Sequence, residues 1–185
     1  MTRDQLEHLI RVSSSLTEEY ELVVVGSQSI LGTDPNPPDI LTMSAEADIY
    51  PRHRPELADK IDAHFGEGSP FHEEHGYYAQ GVGPETAKLP AGWEGRVIRV
   101  PNAAFTAGVG YCISAEDLFM SKAAAGRPKD QEFCMALLEH RYVPLSRALD
   151  LVKAMPEEVD PRQLTARIQR WVRQARAAGQ AIPDH

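Results

Sequence analysis

The chain has 185 residues, of which 42% are hydrophobic and 25% charged, with a formal charge of −8; this excludes a disordered or fibrous protein and fits one globular domain, or one with a small helical appendage. The negative charge argues against a non-specific nucleic-acid binder, which depends on a basic surface to displace counter-ions, although Lys and Arg are gathered late, in Lys122 to Lys129 and in Arg162 to Arg176, and favour an anion near the C-terminal half. Two cysteines, Cys112 and Cys134, in no metal-like spacing exclude a disulfide framework or a zinc knuckle and suit a reducing cytoplasm.

From Arg3 to Leu16, apolar residues at Leu6, Leu9 and Ile10 follow helical spacing, so the chain opens with an amphipathic helix. The segment has no apolar core of signal-peptide length, and no apolar run approaches the roughly 18–20 residues of a membrane span, so neither export nor membrane insertion is expected. Glu21-Leu-Val-Val-Val-Gly26 reads as a buried strand, with Ser27 as N-cap of a short helix through Ile30 and Leu31. Three prolines between Gly32 and Leu41 make a loop, because proline removes a donor and restricts φ. Ser44 to Tyr50 returns as a strand, and Pro55 to Phe65 forms a second amphipathic helix with Leu57, Ile61 and Phe65 on one face.

Gly76 to Val82 and Gly95 to Pro101 read as two further strands, giving a mixed sheet of at least four strands. From Ser114 onward the chain reads as helical. Ser114 and Asp117 resemble a capping pair, Gly126 ends a helix, Pro128 begins the next, and further helices fit Ser146 to Met155 and Pro161 to Ala178. The expected architecture is α+β: a mixed-sheet core over residues 1–110 flanked by helices, with a C-terminal helical region over 111–185 packed on it.

Glu46 and Asp48 stand two apart on an expected strand, which puts both carboxylates on one face while Ala47 and Ile49 face the core. Two adjacent acids repel unless a cation lies between them, and Mg²⁺ with nucleotide phosphates needs only one or two protein carboxylates and water. The plain alternative is an exposed acidic strand face. Upstream, a Gly26-Ser27 turn between a strand and a helix lets an anion approach backbone N–H groups, although such turns also arise for steric reasons alone.

Taken together, Val-Val-Val-Gly26-Ser27 followed by Ser44-Ala-Glu46-Ala-Asp48-Ile-Tyr50 resembles the Gly-Ser and paired-acid signature of the polymerase-β-like nucleotidyltransferases. The resemblance implies that Gly26 and Ser27 bind the triphosphate of an NTP and that Glu46 and Asp48 hold Mg²⁺ (or Mn²⁺). The segment from Asp117 through Lys122, Gly126, Arg127 and Lys129 to Asp130 is similar to the C-terminal motif of minimal nucleotidyltransferases of the toxin–antitoxin and abortive-infection type. That similarity implies that Lys122, with Arg127 and Lys129, neutralises phosphate charge. The implied reaction is metal-dependent in-line attack by an acceptor hydroxyl, on RNA, protein or a small molecule, with an antitoxin-like protein as a partner. The chain carries Glu46 where the family's first acid is Asp, the gap from Ser27 to Glu46 is longer than usual, and no third carboxylate matches on the Gly76 or Gly95 strands. These departures leave a second reading: a catalytically degenerate relative that binds a nucleotide or a protein. A third reading concerns the helix junction alone, where Arg127 and Asp130 form a local ion pair and Lys122 is solvated.

Four other features carry less. His72-Glu-Glu-His75 lacks the i, i+4 spacing of zinc-binding helices and reads as a solvated turn. Of Tyr77 and Tyr78, one is expected to pack and the other to be available for stacking on a base. Leu164, Ile168 and Trp171 share helical spacing, as core or partner surface. Cys112 has no neighbouring base to make it a nucleophile.

Overall fold

The computed structural model describes residues 1–101 and 108–184. The chain divides into two compact units: one drawn from Met1–Ala87 with Arg96–Ser114, the other from Lys88–Gly95 with Ala115–His185.

The first unit opens with α1 (Arg3–Thr17). Its N-terminus is closed reciprocally: the Thr2 hydroxyl accepts from the Gln5 backbone N–H at 3.2 Å, and the Gln5 side chain accepts from the Thr2 N–H at 2.9 Å. Leu6, Leu9 and Ile10 are fully buried, as their spacing requires. Strand β1 (Glu21–Val25) follows, with Leu22 to Val25 all buried. A 3₁₀ turn over Ser27–Ser29 leads into the short helix α2 (Ile30–Thr33). Ser27 is not the N-cap: Gly26 occupies that position and the Ser29 hydroxyl donates to the Gly26 carbonyl at 2.8 Å. The turn begins one residue earlier than expected because a left-handed Gly26, φ 69°, reverses the chain there.

The unit continues through β2 (Glu46–Pro51), α3 (Ala58–Phe65, preceded by a 3₁₀ turn from Pro55), α4 (Pro70–His75), β3 (Tyr78–Gly81), β4 (Ile98–Pro101) and β5 (Val109–Cys112). His72 and His75 therefore lie on a helix rather than in a solvated turn. Ser69 caps it, accepting from the His72 N–H at 3.2 Å, and both imidazoles pack against aromatic rings.

The five strands form one mixed sheet in the order β3-β2-β1-β5-β4. β1 pairs antiparallel with β2 and parallel with β5, β2 runs parallel to β3, and β4 antiparallel to β5. The most apolar strand thus takes the central place, where both neighbours satisfy its backbone. α1 and α3 pack on each other and on β2. β5 was not expected, because Gly110 interrupts any strand pattern in Val-Gly-Tyr-Cys. The structure uses that glycine for close approach: a Cβ at Gly110 would run into the Ile10 side chain of α1.

The second unit consists of α5 (Ala115–Ala125), α6 (Pro128–Glu139), α7 (Leu145–Leu151) and α8 (Pro161–Ala177). Gly126 separates α5 from α6 and Pro128 opens α6. Leu118, Phe119, Leu137 and Ile168 are fully buried and Trp171 nearly so, each such side chain contributing about 1.5–3 kcal/mol by leaving water. The segment 88–95 belongs here: the Ala91 N–H donates to the Ala154 carbonyl at 2.8 Å, and Lys88 pairs with Glu158 at 2.7 Å. No helix among the described residues is long and apolar enough to cross a membrane.

Candidate nucleotide and metal site

Strand alternation sets the acids. In β2, Ala47 and Ile49 are fully buried while Glu46 and Asp48 are half-buried on the other face. Antiparallel pairing places Val25 opposite Asp48, so the Asp48 side chain lies over the residue that ends β1. A Cβ on Gly26 would collide with the Asp48 carboxylate. Only glycine satisfies both the positive φ and this close approach.

The turn beyond Gly26 is tightly closed. Both the backbone N–H and the hydroxyl of Ser29 donate to the Gly26 carbonyl, at 3.1 and 2.8 Å. Ser27 is half-buried and its hydroxyl accepts from the Gln28 amide at 3.4 Å. Gln28 is itself buried, and among the described residues its Oε1 has no hydrogen-bond partner.

On the other side, β3 runs parallel to β2 with Glu46 opposite Tyr78 and Asp48 opposite Gln80. The Tyr78 hydroxyl donates to Glu46 Oε2 at 2.8 Å. The Gln80 amide, turned with its nitrogen toward the acid, donates to Glu46 Oε1 and Oε2 at 3.2 and 3.3 Å. The His72 ring packs on Tyr78 with centroids 4.6 Å apart. Burial raises the Tyr78 pKa above its ordinary value, reinforced by the hydrogen bond to Glu46 and the negative charges of Glu46, Glu67 and Asp48. Tyr78 is therefore a neutral donor at physiological pH. Tyr77 points elsewhere: its hydroxyl meets His8 Nδ1 at 2.6 Å and its ring packs on Phe71.

Gly26, Ser27, Glu46 and Asp48, singled out in the sequence, thus occupy one end of neighbouring strands. Tyr78 and Gln80 complete this polar face, and sequence reasoning did not assign them to it. Their spacing of two marks one strand face, but which strand they join is set by pairing far along the chain.

The remaining sequence candidates lie in the second unit. Asp130 is fully buried and joins the end of α5 to the start of α6. Arg127 donates to it through Nε at 2.7 Å, Nη2 at 3.2 Å and the backbone N–H at 3.1 Å, and Lys122 Nζ stands 3.5 Å from its Oδ1. Burial alone raises the Asp130 pKa, but the hydrogen bonds from Arg127 and the charges of Lys122 and Arg127 outweigh it and hold the carboxyl below its ordinary value. Lys122 is accordingly not solvated: its side chain is 15% exposed and its ammonium lies 5.3 Å from the centre of the Phe133 ring. Lys129 is exposed.

Cys112 is fully buried, and burial pushes its thiol up to about 12, so it is inert as a nucleophile. Among the described residues no group of three or more His, Cys, Asp or Glu could hold a metal ion, so a cation here would depend on the Glu46 and Asp48 pair with substrate and water oxygens.

A family model described as a nucleotidyltransferase of unknown function (DUF6036) matches residues 4–158. No curated protein and no solved structure matches the chain.

Proposed function

Because the chain belongs to this family of nucleotidyltransferases of unknown function, we propose that it transfers a nucleotidyl group from an NTP to a hydroxyl acceptor, as a minimal member of the polymerase-β-like superfamily. In this reading it works beside an antitoxin-like protein, in the manner of toxin–antitoxin or abortive-infection systems.

One observation carries the reading: the Asp48 carboxylate rests on the Cα of Gly26, with Glu46 on the same strand face. This puts a phosphate-accessible turn and two hard oxygen donors side by side. The donor set fits Mg²⁺ (or Mn²⁺), which takes one or two carboxylates together with substrate phosphates and water. Tyr78 and Gln80 donate to Glu46 without exhausting the lone pairs of its two oxygens. When bound, the cation neutralises phosphate charge and supports in-line displacement at the α-phosphate.

The chain's own residues do the positioning. Gly26, lacking a side chain, lets the Asp48 carboxylate lie against the turn, where a cation shared with the triphosphate would be held, and the Ser27 hydroxyl serves a phosphate oxygen. Tyr78 and Gln80 fix the Glu46 carboxylate. Within the second unit, Asp130 orders Lys122 and Arg127.

A degenerate, binding-only protein is the second reading, favoured by one observation: the strand beside the acids presents Tyr78 and Gln80 rather than a carboxylate. Calorimetric titration of each NTP with Mg²⁺ and then with EDTA tests both. Saturable, metal-dependent binding, followed by release of pyrophosphate when a hydroxyl acceptor such as total cellular RNA is added, upholds transfer; binding without turnover across RNA, protein and small-molecule hydroxyl acceptors selects the second reading, and absence of binding to all four NTPs rejects the site.

A further inference from the structure

Helix α8 carries five arginines, Arg162, Arg167, Arg170, Arg173 and Arg176, and no lysine or acid from Pro161 to Ala177, in a chain whose formal charge is −8. Two of the five are engaged within the fold. Arg167 donates to the carbonyls of Ala123 and Ala124 at 2.8 and 2.9 Å, and Arg176 to the Ile182 carbonyl and Asp184. The side chains of Arg162, Arg170 and Arg173 are exposed and have no carboxylate partner among the described residues.

At 3.6 residues per turn these three fall within an arc of about 80°, and at 1.5 Å per residue Arg162 and Arg173 stand about 16 Å apart along the axis. The buried stripe of Leu164, Ile168, Trp171, Val172 and Ala175 occupies the other side of the helix. An open depression lined by Pro161, Arg162, Thr165, Ala166 and Gln169 adjoins the first turns.

We propose that this arginine face docks the sugar–phosphate backbone of an RNA strand. Guanidinium forks pair with phosphate oxygens in a bidentate way that lysine does not match. The residues between the arginines, Thr165, Ala166 and Gln169, offer no aromatic or large apolar side chain of the kind that forms the well-packed centre of a protein interface around its arginines. Among nucleic acids RNA is favoured, because its 2′-hydroxyls give Thr165 and Gln169 a partner that DNA lacks. The negative charge of the rest of the chain confines such a ligand to this face. The docking stands on the helix alone; that the bound RNA is also the hydroxyl acceptor rests on the transfer reading above.

The test uses the full chain and a labelled, mixed-sequence single-stranded RNA followed by fluorescence anisotropy, with DNA of the same sequence and poly-glutamate as competitors. Neutralising three phosphates gives a log–log salt slope near −2, so RNA affinity falls about 20-fold between roughly 50 and 200 mM salt. The R162Q/R170Q/R173Q variant should bind at least about tenfold more weakly with a flatter slope, while R162K/R170K/R173K keeps the slope and part of the affinity. DNA should compete more weakly than RNA, and poly-glutamate not at all. RNA binding unchanged in the glutamine variant, no binding by the native chain at low salt, or equal competition by poly-glutamate would each overturn the proposal. Thermal unfolding of both variants checks the fold, and the lysine variant carries the test if the glutamine variant unfolds. NTP titration of the same proteins separates the two readings: RNA docking without NTP binding removes the transfer reading alone, and NTP binding without RNA docking removes this one.

Discussion

The carboxylate of Asp48 lies directly against the Cα of Gly26, where a Cβ would stand. The register that pairs Val25 with Asp48 brings this about, and it couples the last residue of one strand to the second acid of the next. Gly26→Ala should therefore act twice. The methyl group strains a φ of 69° and displaces Asp48, with an expected loss of about 1–3 kcal/mol in stability and of metal-dependent NTP binding. Urea unfolding and calorimetry read the two effects separately; a variant with native stability and native NTP affinity would dissociate the glycine from the site.

Asp48→Asn keeps the shape of the side chain and removes its charge. Metal-dependent NTP binding should disappear while the thermal midpoint stays within a degree or two of native, since a half-buried acid on a strand face contributes little to packing. Binding that persists in EDTA at native affinity would count against metal at this face.

Tyr78→Phe tests the contact with Glu46. Loss of a 2.8 Å hydrogen bond to a charged acceptor should cost about 1.5–3 kcal/mol at most, less where water replaces it. The pH dependence has a definite sign. The folded pKa of Tyr78 is raised, so its contribution is fully present below the unfolded value near 10 and is lost as pH rises through the folded value. Chemical denaturation from neutral to strongly alkaline pH should show stability falling above about pH 10, and Tyr78→Phe should remove part of that fall. Identical alkaline profiles would exclude Tyr78 as a contributor.

Asp130→Ala leaves Lys122 and Arg127 without their shared counter-ion. Because Lys122 is 15% exposed and Arg127 55%, the expected cost is about 2–3 kcal/mol, below that of a fully buried pair. The folded pKa of Asp130 is lowered, so its stabilisation is present above the unfolded value near 3.9 and is lost as pH falls through the folded value. Acid unfolding followed by circular dichroism should therefore begin at higher pH in Asp130→Ala than in the native chain, with the two stabilities converging as pH falls through the folded value; a native acid-unfolding profile in the variant would exclude Asp130 as a contributor.

Periodicity is a local property, and whatever depends on it was legible in the chain. The helical spacing of Leu6, Leu9 and Ile10, the apolar run of β1, and the alternation that puts Glu46 and Asp48 on one face are all present in the structure as the sequence implied them. The ion pair of Arg127 with Asp130 was also readable, because its partners stand three residues apart on adjoining helical turns.

Register and partner choice are not local, and only the tertiary structure decided them. Gly110 lets α1 approach, so four residues with no strand pattern became the parallel neighbour of β1. β3 added to the open side of β2, which put Tyr78 and Gln80 beside Glu46. A slip of one residue in that pairing would turn both side chains to the opposite face. The sequence therefore determined which residues could share a face, while packing across distant strands determined which faces met: the acids and the glycine turn came from the chain, and the contacts that hold them in place came from the fold.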